Sequence, residues 1–270
     1  MGFQRLTDKI YIAPVVFGPA LCQLQDINGK RYEGVIETVD KFSIIYEVQF
    51  DKLLDLLPSG FELVEPIMLI NVEILSNIAW LAGRGLARIE VQTPVVCKGI
   101  SGLFNMVTWE NNGDSIICGR DIFGTPKIYA RITHSYEGTV FKTTAASWEF
   151  SFLDLRVDEA KPPDDINVCE KFLQQKGFHR VIKLNYLPMT GEGFTKTDAC
   201  YTTSVPTDQI TNIPQFCSGS VHWFSPQFED MPTQYRIAHA LAELLPKRSI
   251  GAWHISFNRI ASEVNQKILE

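Results

Sequence analysis

The hydrophobic positions divide this chain into many short extended runs and a few helical ones. Residues 42–48 alternate and are rich in Ile, Tyr and Val, as expected of a strand. Residues 67–75, 86–96, 102–109, 115–123, 138–144 and 147–155 read as further strands. The turns between them are marked by Gly and Asn, most plainly in Glu110-Asn111-Asn112-Gly113-Asp114. Residues 161–165, K-P-P-D-D, form a loop, 177–187, 196–203 and 250–257 are strands, and 190–193 is a hairpin tip. Helical spacing is seen at 50–57, where Phe50, Leu53, Leu54 and Leu57 recur until Pro58, Ser59 and Gly60 stop the run. It returns at 168–175, at 233–245 with Ile237, Leu241, Leu244 and Leu245 on one face after Pro232, and in an amphipathic tail at 259–269. The pattern predicts a strand-dominated α+β chain whose solution is a curved or closed antiparallel sheet. The opening residues, to about 40, break too often at Pro and Gly for regular structure and predict an irregular arm that could cover a neighbour or a pocket.

Composition narrows the function classes. A chain of 270 residues that is 45% hydrophobic can bury a large core, and no Pro/Gly/Ser-rich linker divides it, so residues 1–270 are expected to form one domain. The net charge of -6, the pI near 5.5 and the lack of a Lys/Arg run argue against a nucleic-acid partner. No stretch approaches eighteen apolar residues, and the opening M-G-F-Q-R-L-T-D-K lacks the apolar run of a signal peptide, so a soluble, cytoplasmic protein without a membrane partner is expected. Six cysteines without a C-x-x-C pair predict buried free thiols. His134, His179, His222, His239 and His254 show no metal-binding spacing, so no metal is expected.

The stretch from Cys118 to Arg131, C-G-R-D-I-F-G-T-P-K-I-Y-A-R, carries the candidate chemistry. Pro126 disfavours helix before it, which predicts a shaped loop or the start of a strand at Lys127. Two readings are open from these residues. Lys127 is a surface lysine with its head in water, or it is drawn out of water, where desolvation lowers its pKa and yields a neutral amine able to attack a carbonyl.

Gly119, Arg120, Asp121, Pro126 and Lys127 fit G-R-[ED]-x-x-x-x-P-K, and this segment resembles the Schiff-base loop of the acetoacetate decarboxylase superfamily. The similarity extends to Tyr46, Leu56 to Pro58, Glu65-Pro66, W-L-A-G-R-G from Trp80, W-E-N from Trp109 and L-L-P-K-R from Leu244, and it leaves an N-terminal arm, 1–41, outside the recognisable core. The resemblance implies a cone-like antiparallel β-barrel with a few peripheral helices, a homo-oligomer, and a lyase without a cofactor that joins Lys127 to a keto acid as an imine. That imine serves decarboxylation of a β-keto acid; the alternative is an aldolase-dehydratase or cyclase acting on a larger keto acid. A non-catalytic binding module is the further alternative, because the chain departs from the family pattern. Ile128 stands where the decarboxylases have a second lysine, Asn71 and Arg88 fall where two acids line their pocket, and Val39 falls where they offer an arginine.

Arg84, Arg88 and Arg120 are the candidates to meet a substrate carboxylate, since guanidinium presents a fork of donors matched to it, with Asn71 and Trp109 as further substrate contacts. Glu73, Glu90, Glu110 and Asp121 are candidate proton carriers. For each of these the residues leave a structural role open as well.

Overall fold

The computed structural model describes residues 6, 8–174, 180–187, 196–203, 208–261 and 266–268, without the side chains of 185–187, 196–203 and 266–268. Its centre is β1 (Val35–Glu47), a thirteen-residue strand between β3 (Ile67–Ile78) and β14 (Arg248–Ile260). On the β3 side follow β4 (Arg84–Cys97), β5 (Ile100–Glu110), β10 (Val181–Leu187), β11 (Lys196–Thr203) and β15 (Gln266–Ile268). Beyond β14 come β13 (Gln215–Trp223), β9 (Phe150–Asp158), β8 (Val140–Ser147) and β7 (Arg131–Glu137). Three short strands pair off this path: β2 (Phe61–Leu63) on β4, β6 (Lys127–Tyr129) on β5 and β12 (Asp208–Ile210) on β14. The sheet bends into a nearly closed barrel, with helices α1 (Phe50–Leu54), α2 (Gly113–Phe123), α3 (Ile166–Gln174) and α4 (Tyr235–Glu243) around it.

The strand-dominated α+β architecture is the predicted one, but the sheet is mixed. β5 is paired in parallel with both β6 and β10. Chain that leaves β5, crosses through α2 and returns as β6 re-enters in the same direction, which a helical crossover permits and a hairpin does not.

Two predicted elements take another form. Residues 115–123, read as a strand, belong to helix α2. Its start is set by Asn112, whose side chain accepts a hydrogen bond from Ser115 N at 2.9 Å, and its end by Gly124, left-handed at φ 58°. The Asn-Gly that resembles a hairpin turn is thus a helix cap. In the tail read as helix 259–269, Arg259 and Ile260 continue β14, and Gln266–Ile268 pair antiparallel with β11. The hairpin tip at 190–193 lies outside the described residues. So do Cys200's side chain and His179, whereas Cys22, Cys97, Cys118, Cys169 and Cys217 are buried and free. Val35 to Lys41, assigned to the arm, form the first half of β1. Earlier in the arm the buried Gln25 side chain ties Ile10 and Ala20 together, which folds Leu24 against the core. Among the described residues no helix is long and apolar enough to cross a membrane.

Alternation along the strands sorts the interior into two layers. Phe42, Ile44, Met68, Ile70, Val72, Ala87, Ile89, Val91, Val107 and Trp109 fill one layer with Phe152, Trp223 and α4. The opposite face of the same strands carries Lys41, Ser43, Asn71, Glu73, Arg88, Glu90, Gln92 and Glu110, charged and polar residues that are mostly buried. A period of two guarantees that if one set packs the core the other faces away from it. Here the other set faces a cavity.

Candidate active site

The cavity has a volume of about 720 Å³ and lies over the polar face of β1, β3, β4, β5 and β14, with Leu24 of the arm and Phe123 and Phe172 of the helices among its walls. Lys41, Glu73, Arg88 and Glu110 occupy consecutive register positions across β1, β3, β4 and β5. Strand pairing therefore builds a row of alternating charge with no contribution from loops. Lys41 Nζ is 3.7 Å from Glu73, Arg88 lies 3.1 Å from Glu73 and 2.5 Å from Glu110, and Lys127 Nζ ends the row 2.8 Å from Glu110 Oε1. Arg259 on β14 joins at Glu73, 3.5 Å away, and pairs with Glu37.

Lys127 enters this row because β6 lies beside β5, with Lys127 opposite Thr108. Its side chain runs along α2, where Gly119 leaves the space. A Cβ there would stand 2.4 Å from Lys127 Cδ and 2.8 Å from Nζ. Nζ also lies 3.2 Å from both the Ser115 carbonyl oxygen and the Ser115 hydroxyl. Those two oxygens and Glu110 match the three donors of an ammonium. When the amine is neutral, the hydroxyl can turn and donate to its lone pair.

Burial, and next the Arg88 charge, push the Lys127 pKa below the ordinary lysine value, against Glu110, which pulls it up. Burial would raise the Glu110 carboxyl, but Arg88 and Lys127 outweigh it and hold it low. Glu73 is likewise held at about 2 by Arg259, Lys41 and Arg88 against burial. The row can thus keep a nucleophilic amine beside an ionised carboxylate, the pairing that proton transfer during carbonyl addition requires.

The structure brings only part of the predicted set together. Asn71, Glu73, Arg88, Glu90 and Lys127 line the cavity and Glu110 touches Lys127, with Asn71 held between Ser43 and Gln92. Arg84 is exposed and donates to the Leu81 carbonyl, since the strand carries it beyond the row. Arg120 and Asp121 fall on the outer face of α2, along a second cavity of about 550 Å³ on the far side of Lys127. From there Arg120 donates to the Lys127 carbonyl oxygen at 2.9 Å and holds its backbone from behind. Trp109 sits in the apolar layer against Phe152 and Trp223 and donates from Nε1 to Gln234. Ile128 also faces the second cavity.

Sequence reasoning missed Lys41, Gln92, Ser115, Lys183 and Arg259. A signal was present: N-x-E in β3 and R-x-E-x-Q in β4 put polar residues at every second position of strands that are otherwise apolar. Such strands have one apolar and one polar face, and here the polar face lines the cavity. Among the described residues no three His, Cys, Asp or Glu side chains converge to hold a metal.

Gly119→Ala tests the packing. Alanine is favoured over glycine in a helix by about 1 kcal/mol, so the variant is expected to stay folded. Turnover should fall by roughly a hundredfold as the lysine is displaced, measured together with a melting curve. A variant with parental turnover would show that Lys127 does not work from this position.

A family model described as acetoacetate decarboxylase (ADC) matches residues 29–258. No curated protein matches the sequence. Among solved structures, an acetoacetate decarboxylase from Legionella pneumophila subsp. pneumophila str. Philadelphia 1 is 18% identical with a TM-score of 0.66, over 87% of each chain. Another structure of acetoacetate decarboxylase is 14% identical with a TM-score of 0.73, over 98% of each chain. The enduracididine biosynthesis enzyme MppR, complexed with the condensation product of pyruvate and imidazole 4-carboxaldehyde, is 14% identical with a TM-score of 0.65, over 87% of this chain and 88% of that one. At these identities the structural likeness speaks for the fold.

Proposed function

The chain belongs to the acetoacetate decarboxylase family, and from that premise we propose that it is an imine-forming lyase in which Lys127 attacks a keto acid. The observation that carries this reading is the buried Lys127 amine at the cavity wall, 2.8 Å from Glu110. The neutral amine adds to the carbonyl carbon, and the carbinolamine loses water to give an iminium. Glu110 is placed to take the proton that the nitrogen sheds and to return it to the departing hydroxyl. Decarboxylation of a β-keto acid then breaks the bond to the carboxylate, and the electron pair passes to the iminium nitrogen as an enamine. Protonation of the enamine and attack by water release the ketone and free Lys127.

A second reading has its own support in the volume of the cavity. About 720 Å³ is far more than a four-carbon acid occupies, and it accommodates a keto acid together with an aldehyde. In that reaction the enamine forms by loss of an α-proton, attacks the aldehyde, and the adduct loses water. The MppR complex with a condensation product is consistent with such use of this fold.

Borohydride reduction in the presence of pyruvate or acetoacetate is the test. One equivalent of reduced adduct on the Lys127 peptide is expected by mass spectrometry, and an unmodified Lys127 with both acids would refute imine chemistry. Inactivation by an amine reagent should titrate below the ordinary lysine value of 10.5, the direction set by burial and Arg88. Titration of Lys127 at the ordinary value would contradict the proposed nucleophile.

A further inference from the structure

The cations that line the cavity are unequal. Lys41, Arg88, Lys127 and Arg259 each have a carboxylate partner at ion-pair distance. Lys183 does not. It is only 7% exposed, and its ammonium donates to the hydroxyl of Thr125 at 2.9 Å, with no carboxylate at ion-pair distance among the described residues. β10 runs parallel to β5 with Ile182 opposite Phe104. Alternation sends Ile182 into the small cluster of Phe61, Val95 and Phe104, and sends Lys183 to the cavity wall. Thr125 lies two residues before Lys127 and accepts a hydrogen bond from its amide at 2.7 Å, so the two lysines are anchored to one short segment.

Burying a cation without an anion is costly and contributes nothing to stability. Burial lowers the Lys183 pKa to about 8, with Lys127 and Arg88 adding to the effect and Glu90 opposing it, which leaves the side chain largely protonated at neutral pH. A charge kept in this state beside a nucleophile needs a partner that arrives with the substrate. Keto acids carry both functions required here, a carbonyl for one lysine and a carboxylate for the other.

We propose that Lys183 is the substrate-binding residue that receives the carboxylate of the keto acid while Lys127 engages its carbonyl. The carbonyl half of this statement rests on the imine reading above; the carboxylate half does not.

The deciding measurement uses a protein that cannot form an imine. Pyruvate is titrated by calorimetry into the Lys127→Met protein and into the same protein carrying Lys183→Met. Loss of a buried ion pair is expected to weaken pyruvate by at least about tenfold, with Lys183→Arg retaining most of the affinity. Methyl pyruvate, which lacks the charge, should bind the two proteins alike. Should Lys183→Met fail to fold, Lys183→Gln, which keeps a hydrogen bond to Thr125 without the charge, is read in the same way. Equal affinities for pyruvate, an equal loss for the ester, or no binding of pyruvate to the Lys127→Met protein would each overturn the assignment. Borohydride labelling of the otherwise intact enzyme reports separately on Lys127. If pyruvate binding depends on Lys183 but Lys127 is never labelled, the imine reading fails and the carboxylate site stands.

Discussion

Replacing Lys127 with alanine is expected to lower turnover of the keto acid by more than about a thousandfold, with folding preserved. No other amine can take over. Arg88 is a guanidinium held between two carboxylates, Lys41 is paired with Glu73 toward the other end of the row, and Lys183 on β10 is tied to Thr125. The fold should tolerate the change because Glu110 keeps Arg88 as its partner after the lysine is gone. Steady-state kinetics, a thermal melt and loss of the borohydride adduct together check this outcome. Turnover comparable to the parent's in a folded variant would end the proposal that the reaction passes through an imine on Lys127.

Arg88→Met is expected to have the largest effect on stability. Arg88 is buried between Glu73 and Glu110, at 3.1 and 2.5 Å, and is the interior link of the charged row. Removing one partner of a buried ionic network leaves charge uncompensated and costs about 3–5 kcal/mol. Glu73 retains Lys41 and Arg259, so the damage should concentrate at Glu110. The direction of the pH effect follows from the same geometry. The Arg88 charge lowers the pKa of both Glu110 and Lys127, so without it both should rise. A higher Lys127 pKa keeps the amine protonated to higher pH, and the activity profile should move to alkaline pH. Chemical denaturation and the pH dependence of turnover measure the two consequences. A variant of parental stability and unchanged profile would show that the row does not govern the amine.

Local chemistry determined much of this protein in the sequence itself. Alternating β-branched and aromatic residues specify β3, β4, β5, β8 and β9 near their observed bounds and the second half of β1, because half-buried strands demand that period. The G-R-D-x-x-x-x-P-K segment singled out Lys127 through its family resemblance, and the structure adds that this lysine lies along Gly119 of the preceding helix. Where two local signals compete, the sequence is ambiguous. Asn112-Gly113 suits a hairpin turn and a helix cap equally, and only the parallel return of β6 beside β5 selects the helix.

The membership of the site was decided by tertiary structure. Arg84, Arg88 and Arg120 are equivalent as sequence, yet Arg88 alone faces the cavity, because the face a strand residue takes depends on register across the sheet. Lys41, Glu73, Arg88, Glu110 and Arg259 come from five strands, and their pairing exists only once β1 has been laid between β3 and β14. Lys183 reaches the same cavity through the parallel β5–β10 pair. Local propensity selects each strand, but charge complementarity among distant strands is a property of their alignment, which no single segment encodes.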